Sequence, residues 1–191
     1  MDRKNVLVIS GKDQKLTKDI HRFLRKIGLE PLEPQNRFLE GILDPHEVLQ
    51  AAINAACAIV IVLAADDEAQ RRYILNDDRE DEIKLQHRWY IFDDDREEDQ
   101  YPSCQPRLSV LFAAGVAFAT RPDNTFLLKR GHLRPCSHFV GRRCVELGDT
   151  DEQRSAFIEM LRSVGCEIDL SSNKWVDVGD FSDPDIKDIY Y

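Results

Sequence analysis

Cys57-Ala58-Ile59-Val60-Ile61-Val62-Leu63-Ala64 is the stretch that decides the fold. It is an unbroken apolar run, rich in β-branched residues. A strand with one wet face alternates apolar and polar residues, and this one does not. Both of its faces must be covered, as in the central strand of a parallel sheet. Working outward, Val6 to Ile9 is a second run of the same kind, followed by the polar turn Ser10-Gly11-Lys12-Asp13. Leu16, Ile20, Phe23, Leu24 and Ile27 then recur with helical spacing, and Gly28 suits the position just past a helix end.

The same grammar repeats. Leu29 to Leu32 reads as a weaker strand, and a connection over residues 33–45 follows. Asp44 and Pro45 suit the start of a helix whose apolar face is Val48, Leu49, Ala52, Ile53 and Ala56. Beyond the central strand, order is expected to return at Pro106-Arg107. Val110 to Ala119 reads as a helix, with Val110, Leu111 and Phe112 as apolar anchors and Ala114 and Gly115 allowing close approach to the sheet. Thr125 to Leu128 and Arg143 to Leu147 are the last strands, and Gln153 to Val164 is the closing helix, with Phe157, Leu161 and Val164 inward and Gly165 at its end. Alternating strands and helices predict an α/β fold with a central parallel sheet of about five strands, covered on both faces. The expected division is one domain over residues 1–170 and a packed or trailing tail over 171–191.

Residues 77–99 break the pattern. They carry eleven acidic side chains, with Ile83 to Phe92 as an aromatic-bearing interlude. This acidic excursion is expected to be more mobile than the sheet, because like charges repel and apolar anchors are few. Across the chain, 35 acidic against 26 basic residues give a net charge of -9. That disfavours a direct nucleic-acid partner, which needs clustered Lys and Arg. No apolar stretch is long enough to span a bilayer, and the start of the chain turns polar too soon for a signal peptide. The expectation is a cytoplasmic protein with no membrane partner. The five cysteines at 57, 104, 136, 144 and 166 show no metal-site spacing, and Cys57 and Cys166 fall in core patterns.

Ligands of open α/β sheets bind beyond the carboxyl ends of the strands. Ser10, Gly11, Lys12 and Asp13 occupy one such end, where amides and a lysine near a helix start can hold a phosphate. An ordinary turn is the competing reading, since neither GxGxxG nor GxxxxGK[ST] is present. Asp66, Asp67 and Glu68 follow the central strand, where one carboxylate can cap a helix or meet a ligand. Arg107 precedes the apolar helix and serves either an anion or an ion pair. His132 and Arg134 add positive character after the fourth strand.

Taken together, several segments resemble the bacterial TIR-like family of predicted nucleotide-binding proteins. They are VLVISGKD at 6–13, FLRKIGLEPLE at 23–33 and EVLQAAINAACAIVIVLAADDEA at 47–69, then PRLSVLFAAGVAF at 106–118 and LLKRGHLRPCSHFVGRRCVEL at 127–147. LRSVGCEIDL and GDF near the end complete the set, which spans roughly residues 5–181. The resemblance implies a three-layer, flavodoxin-like TIR fold and NAD as substrate or ligand, with no prosthetic group. It also implies work in antiviral defence as a homo-oligomer, regulated by a nucleotide sensor or partner subunit. Ser10 to Asp13, Gly41, Asp66, Arg107 and Ser109 would then contact the nucleotide.

Active members of that family cleave the nicotinamide–ribose bond with a glutamate in a pattern such as NVLFEAG. Here the stretch is Ser109-Val110-Leu111-Phe112-Ala113-Ala114-Gly115, so the glutamate position is Ala113 and the asparagine position is Ser109. Departure of nicotinamide builds positive charge on the ribose, which a carboxylate can stabilise and alanine cannot. Two readings follow: an NAD-cleaving effector disabled at Ala113, or a non-catalytic nucleotide-binding or scaffold module.

Overall fold

The computed structural model describes residues 2–32, 45–69, 103–131, 133, 139–171 and 175–182. Residues 33–44 and 70–102, which include Asp44 and the acidic excursion, lie outside the described residues, as do His132 and Arg134.

Five strands form one parallel sheet. β1 (Asn5–Ile9) leads into α1 (Gln14–Lys26) and β2 (Glu30–Leu32). α2 (Pro45–Ala55) precedes β3 (Ala58–Leu63). α3 (Leu108–Thr120) precedes β6 (Thr125–Lys129), and β7 (Cys144–Glu146) precedes α4 (Asp151–Ser163). The spatial order is β2-β1-β3-β6-β7, with β3 at the centre. Its register sets Val8 against Val60, Val60 against Phe126 and Leu128 against Val145. This is the flavodoxin-like order of a doubly wound sheet. The expected three-layer α/β architecture is therefore what the chain adopts.

The lack of alternation in β1 and β3 has its cause in two cores, one on each face. Val6, Val8, Val60, Val62, Phe126 and Leu128 pack with α1 and α4. Leu7, Ile9, Ile59, Ile61, Leu63 and Leu127 pack with α2 and α3. Successive strand residues point to opposite faces, so both sets must be apolar. α1 is capped by Asp13, and α4 by a reciprocal capping box between Thr150 and Gln153. Gly28 and Gly165, just past the ends of α1 and α4, have φ of +83° and +95°, a region that favours glycine. Cys57 and Cys166 are both buried as expected, and burial pushes the Cys166 thiol up to about 12.

Three expectations need correction. Asp67–Ala69 forms a strand, β4, paired antiparallel with β5 (Ser103–Gln105). A three-residue ribbon carries too little pattern to be read in advance, and Ser103–Gln105 is already a strand ahead of Pro106. Within α3, Val110, Ala113, Ala114 and Ala117 face the sheet, while Phe112 is 64% exposed and anchors nothing. Gly115 lies on the open flank, where an added Cβ would meet nothing within 4 Å. The close approach is made by the alanines alone.

The tail does not merely trail. Residues 175–182 return to the α1 and α4 layer, where Phe181 is fully buried and packs edge-on to Phe23 at 5.7 Å. Arg154 of α4 is itself 3% exposed. It donates to the Val178 and Gly179 carbonyls and to Asp149, and lies over the Phe181 ring. The described part of the tail is thus anchored in the core through Phe181.

Candidate functional site

The chain leaves β1, crosses outward through α1 to β2, and later returns to the other side of β1 as β3. Connections diverge between β1 and β3, so a crevice opens at the carboxyl ends of those two strands. Two loops line it: Ser10 to Asp13 after β1, and Ala64 to Asp66 after β3. α3 starts at the same rim, because a crossover helix begins at the carboxyl end of the sheet. That topology sets Arg107 and Ser109 at the carboxyl end of the sheet.

The two loops are bonded to each other. Asp66 Oδ1 accepts the Lys12 amide at 2.8 Å. Its Oδ2 is buried without a hydrogen-bond partner among the described residues. Asp66 can lie this close because residue 11 is glycine: a Cβ there would overlap the carboxylate. Gly11 thus serves close approach and needs no unusual φ.

Asp13 works twice. Its Oδ1 accepts the Leu16 amide at 2.9 Å, capping α1, and its Oδ2 accepts Arg130 Nη1 at 2.8 Å. Thr17 donates its hydroxyl proton to the Asp13 carbonyl, so Ser10 must be the donor in the 2.8 Å contact between Ser10 Oγ and Thr17 Oγ1. Arg130 also donates to the Ser182 carbonyl, which ties the tail to the β1 turn. Sequence reasoning passed over Arg130 in favour of His132 and Arg134. Its position one residue beyond β6, level with the other strand ends, was the available signal.

Arg107 is exposed at the start of α3, where its carbonyl accepts the Val110 amide at 2.9 Å and its side chain makes no cap bond. Ser109 is exposed in the first turn. Ala113 faces the sheet and is 7% exposed, among the residues that pack β1 and β3 against α3. Gly41 lies outside the described residues. The structure therefore brings Ser10, Gly11, Lys12, Asp13 and Asp66 together and adds Arg130. Arg107 and Ser109 are exposed at the start of α3, and Ala113 faces the sheet. Among the described residues, no group of three His, Cys, Asp or Glu side chains is placed to hold a metal ion. No described helix is long and apolar enough to cross a membrane.

A doubly wound parallel sheet covered by helices on both faces defines a flavodoxin-like class of α/β domain. Within that class, the chain belongs to the family described as CAP12/Pycsar effector protein, TIR domain, which matches residues 5–149. The matched span covers the whole sheet and every described residue of the crevice except the tail. No curated protein sequence matches the chain.

Proposed function

We propose that this TIR-family effector module binds NAD or a close analogue across the β1–β3 crevice and, as the sequence stands, does not cleave it. The observation that carries the reading is the meeting of the 10–13 turn and Asp66 at the switch point of the sheet. Gly11 lets the 10–13 backbone lie against Asp66, and the exposed Arg107 supplies positive charge for a pyrophosphate. Asp66 offers carboxylate oxygens of the kind that accept ribose hydroxyls. The cleavage chemistry of the family needs a carboxylate where this chain has Ala113, and that accounts for binding without turnover. Family membership supports a role in bacterial antiviral defence, in the cytoplasm, as a homo-oligomer under the control of a nucleotide sensor or partner subunit.

One observation favours a second reading, an interaction domain with a vestigial pocket. The Lys12 amide and the Asp13 carboxylate are already engaged within the protein. Titration calorimetry separates the two readings. NAD should bind the chain, and Arg107→Ala should weaken binding about tenfold or more, the scale of a charged hydrogen bond. Equal affinity removes Arg107 from the site. Absence of NAD binding to the folded chain replaces the nucleotide reading with the interaction domain.

A further inference from the structure

Arg130 stands one residue past β6, and its amide donates to the Leu63 carbonyl at the end of β3 at 2.9 Å. Its guanidinium bridges two segments. Nη1 donates to Asp13 Oδ2 at 2.8 Å, while Nε and Nη2 donate to the Ser182 carbonyl at 2.9 and 2.6 Å. The Arg130 side chain is 11% exposed and that of Asp13 38%, so the carboxylate is the more open half of the pair. The tail that grips Arg130 is itself fixed. Phe181 is fully buried, Arg154 holds the Val178 and Gly179 carbonyls, and Lys15 Nζ lies 2.7 Å from Asp180 Oδ2. The planar fork of an arginine suits such a two-sided role, which a lysine fills only as a point charge.

We propose that Arg130 is a positioning residue that lets the 10–13 turn accept phosphate, acting through Asp13 and held in place by the tail. The inference rests on the nucleotide reading of the crevice and names what makes that turn compatible with an anion. Asp13 caps α1 through Oδ1, and its second oxygen would leave a negative charge beside an incoming phosphate. Arg130 takes that oxygen and cancels the charge. Asp66, the other carboxylate of the two loops, is met by the Lys12 amide, a dipole with no net charge. The neutralisation at Asp13 is therefore the one that decides whether the turn repels an anion. Arg130 is largely covered and engaged with two partners, so it works through Asp13 and makes no ligand contact of its own. Residues 175–182 thereby support the crevice as well as the core.

Titration calorimetry on the full chain tests this with two probes, NAD and inorganic pyrophosphate, at low and high salt, with urea midpoints read in parallel. Arg130→Gln should weaken both probes about tenfold at low salt, because the Asp13 charge is uncovered. The gap to the parent should narrow at high salt, where that charge is screened. Arg130→Lys keeps the charge and should restore most of the lost affinity. The decisive variant combines Asp13→Asn with Arg130→Gln. Asparagine still caps α1 and carries no charge, so the affinity lost in Arg130→Gln should largely return. The urea midpoint should stay low, since the ion pair and the bonds to Ser182 are still missing. Recovered affinity at lowered stability is a result that a merely structural role does not give. A double variant as weak as Arg130→Gln overturns the inference, and so does an Arg130→Gln chain that loses stability yet binds like the parent. If the folded parent binds pyrophosphate and not NAD, the NAD reading falls, and the same variants decide the role of Arg130 on pyrophosphate. Binding of neither probe overturns both.

Discussion

The Lys12 amide donates to the Asp66 carboxylate across 54 residues of sequence, joining the turn after β1 to the end of β3. The bond spans the point where the connections of the sheet diverge, and it depends on the missing side chain at Gly11. The crevice is thus shaped by a close contact between a backbone and a carboxylate.

That contact predicts a coupled pair of substitutions. Gly11→Ala places a methyl group inside the space of the Asp66 carboxylate and should destabilise the chain by about 1–3 kcal/mol through overpacking. Asp66→Ala removes the obstacle. The double variant should recover most of the loss, giving strongly non-additive urea midpoints. Additive effects would show that the two residues do not share this space.

The tail should matter to folding as much as a helix does. Arg154→Ala leaves the Val178 and Gly179 carbonyls without their donor and Asp149 without its ion pair. Breaking a buried charged network of this kind costs about 3–5 kcal/mol. Phe181→Ala should cost a similar amount, about 3–5 kcal/mol, from its fully buried place beside Phe23. Denaturant unfolding reads both, and losses below about 1 kcal/mol would mean that the tail is not part of the cooperative unit.

A second link fixes the tail at the surface and sets a dependence on pH. Lys15 Nζ lies 2.7 Å from Asp180 Oδ2. The hydrogen bond from Lys15 holds the Asp180 carboxyl well below the usual carboxylate range, with Ser182 contributing, and Asp180 in turn raises Lys15. A lowered carboxyl stabilises the fold above its unfolded value, about 3.9, and that contribution fades as pH falls through the lower folded value. A raised lysine stabilises the fold below its unfolded value, about 10.4, and that contribution is lost as pH climbs through the higher folded one. Asp180→Asn should therefore flatten the acid limb of the stability profile below about pH 4 and lower stability at pH 7 by the same amount, a small one because exposed pairs are screened by water and salt. An unchanged acid limb would remove Asp180 from that role.

Much of the fold was legible because its periods are strong. The runs at 6–9 and 58–63 carry no polar residue, and only a strand buried on both faces tolerates that. α1 repeats its apolar positions without interruption from Leu16 to Leu24, and all of them are buried. α3 was legible as a helix but not in its orientation. Its sequence is apolar all round, so periodicity could not tell the buried Ala113 face from the exposed Leu108 and Phe112 flank. The β4–β5 ribbon was too short to read, and its two strands lie more than thirty residues apart in the chain. Of the candidate site, the strand-end loops were placed by topology alone. The partners that organise them were not: Lys12 with Asp66, and Arg130 with Asp13 and Ser182, join segments far apart in sequence.

The orientation of α3 sharpens the last prediction, that Ala113→Glu confers NAD cleavage. Residue 113 is on the sheet-facing side, with Val110 before it and Ala117 one turn further on. It is 7% exposed, so a carboxylate there must run along the helix toward the crevice to reach a ribose. A glutamate is long enough to extend a polar tip past apolar surroundings. Held by a rigid helix, it would present negative charge where positive charge develops as nicotinamide leaves, an effect worth about 100- to 1000-fold in rate for one well-placed group. The same burial carries a penalty of about 1–3 kcal/mol for a polar group that finds incomplete partners. Ala113→Gln shares the size and the polarity without the charge. Both variants should lower the urea midpoint by similar amounts, and only Ala113→Glu should release nicotinamide above the parent level, with any required activator present. If Ala113→Glu folds, binds NAD and still releases none, the missing carboxylate is not what silences this chain, and a binding or interaction module becomes its function.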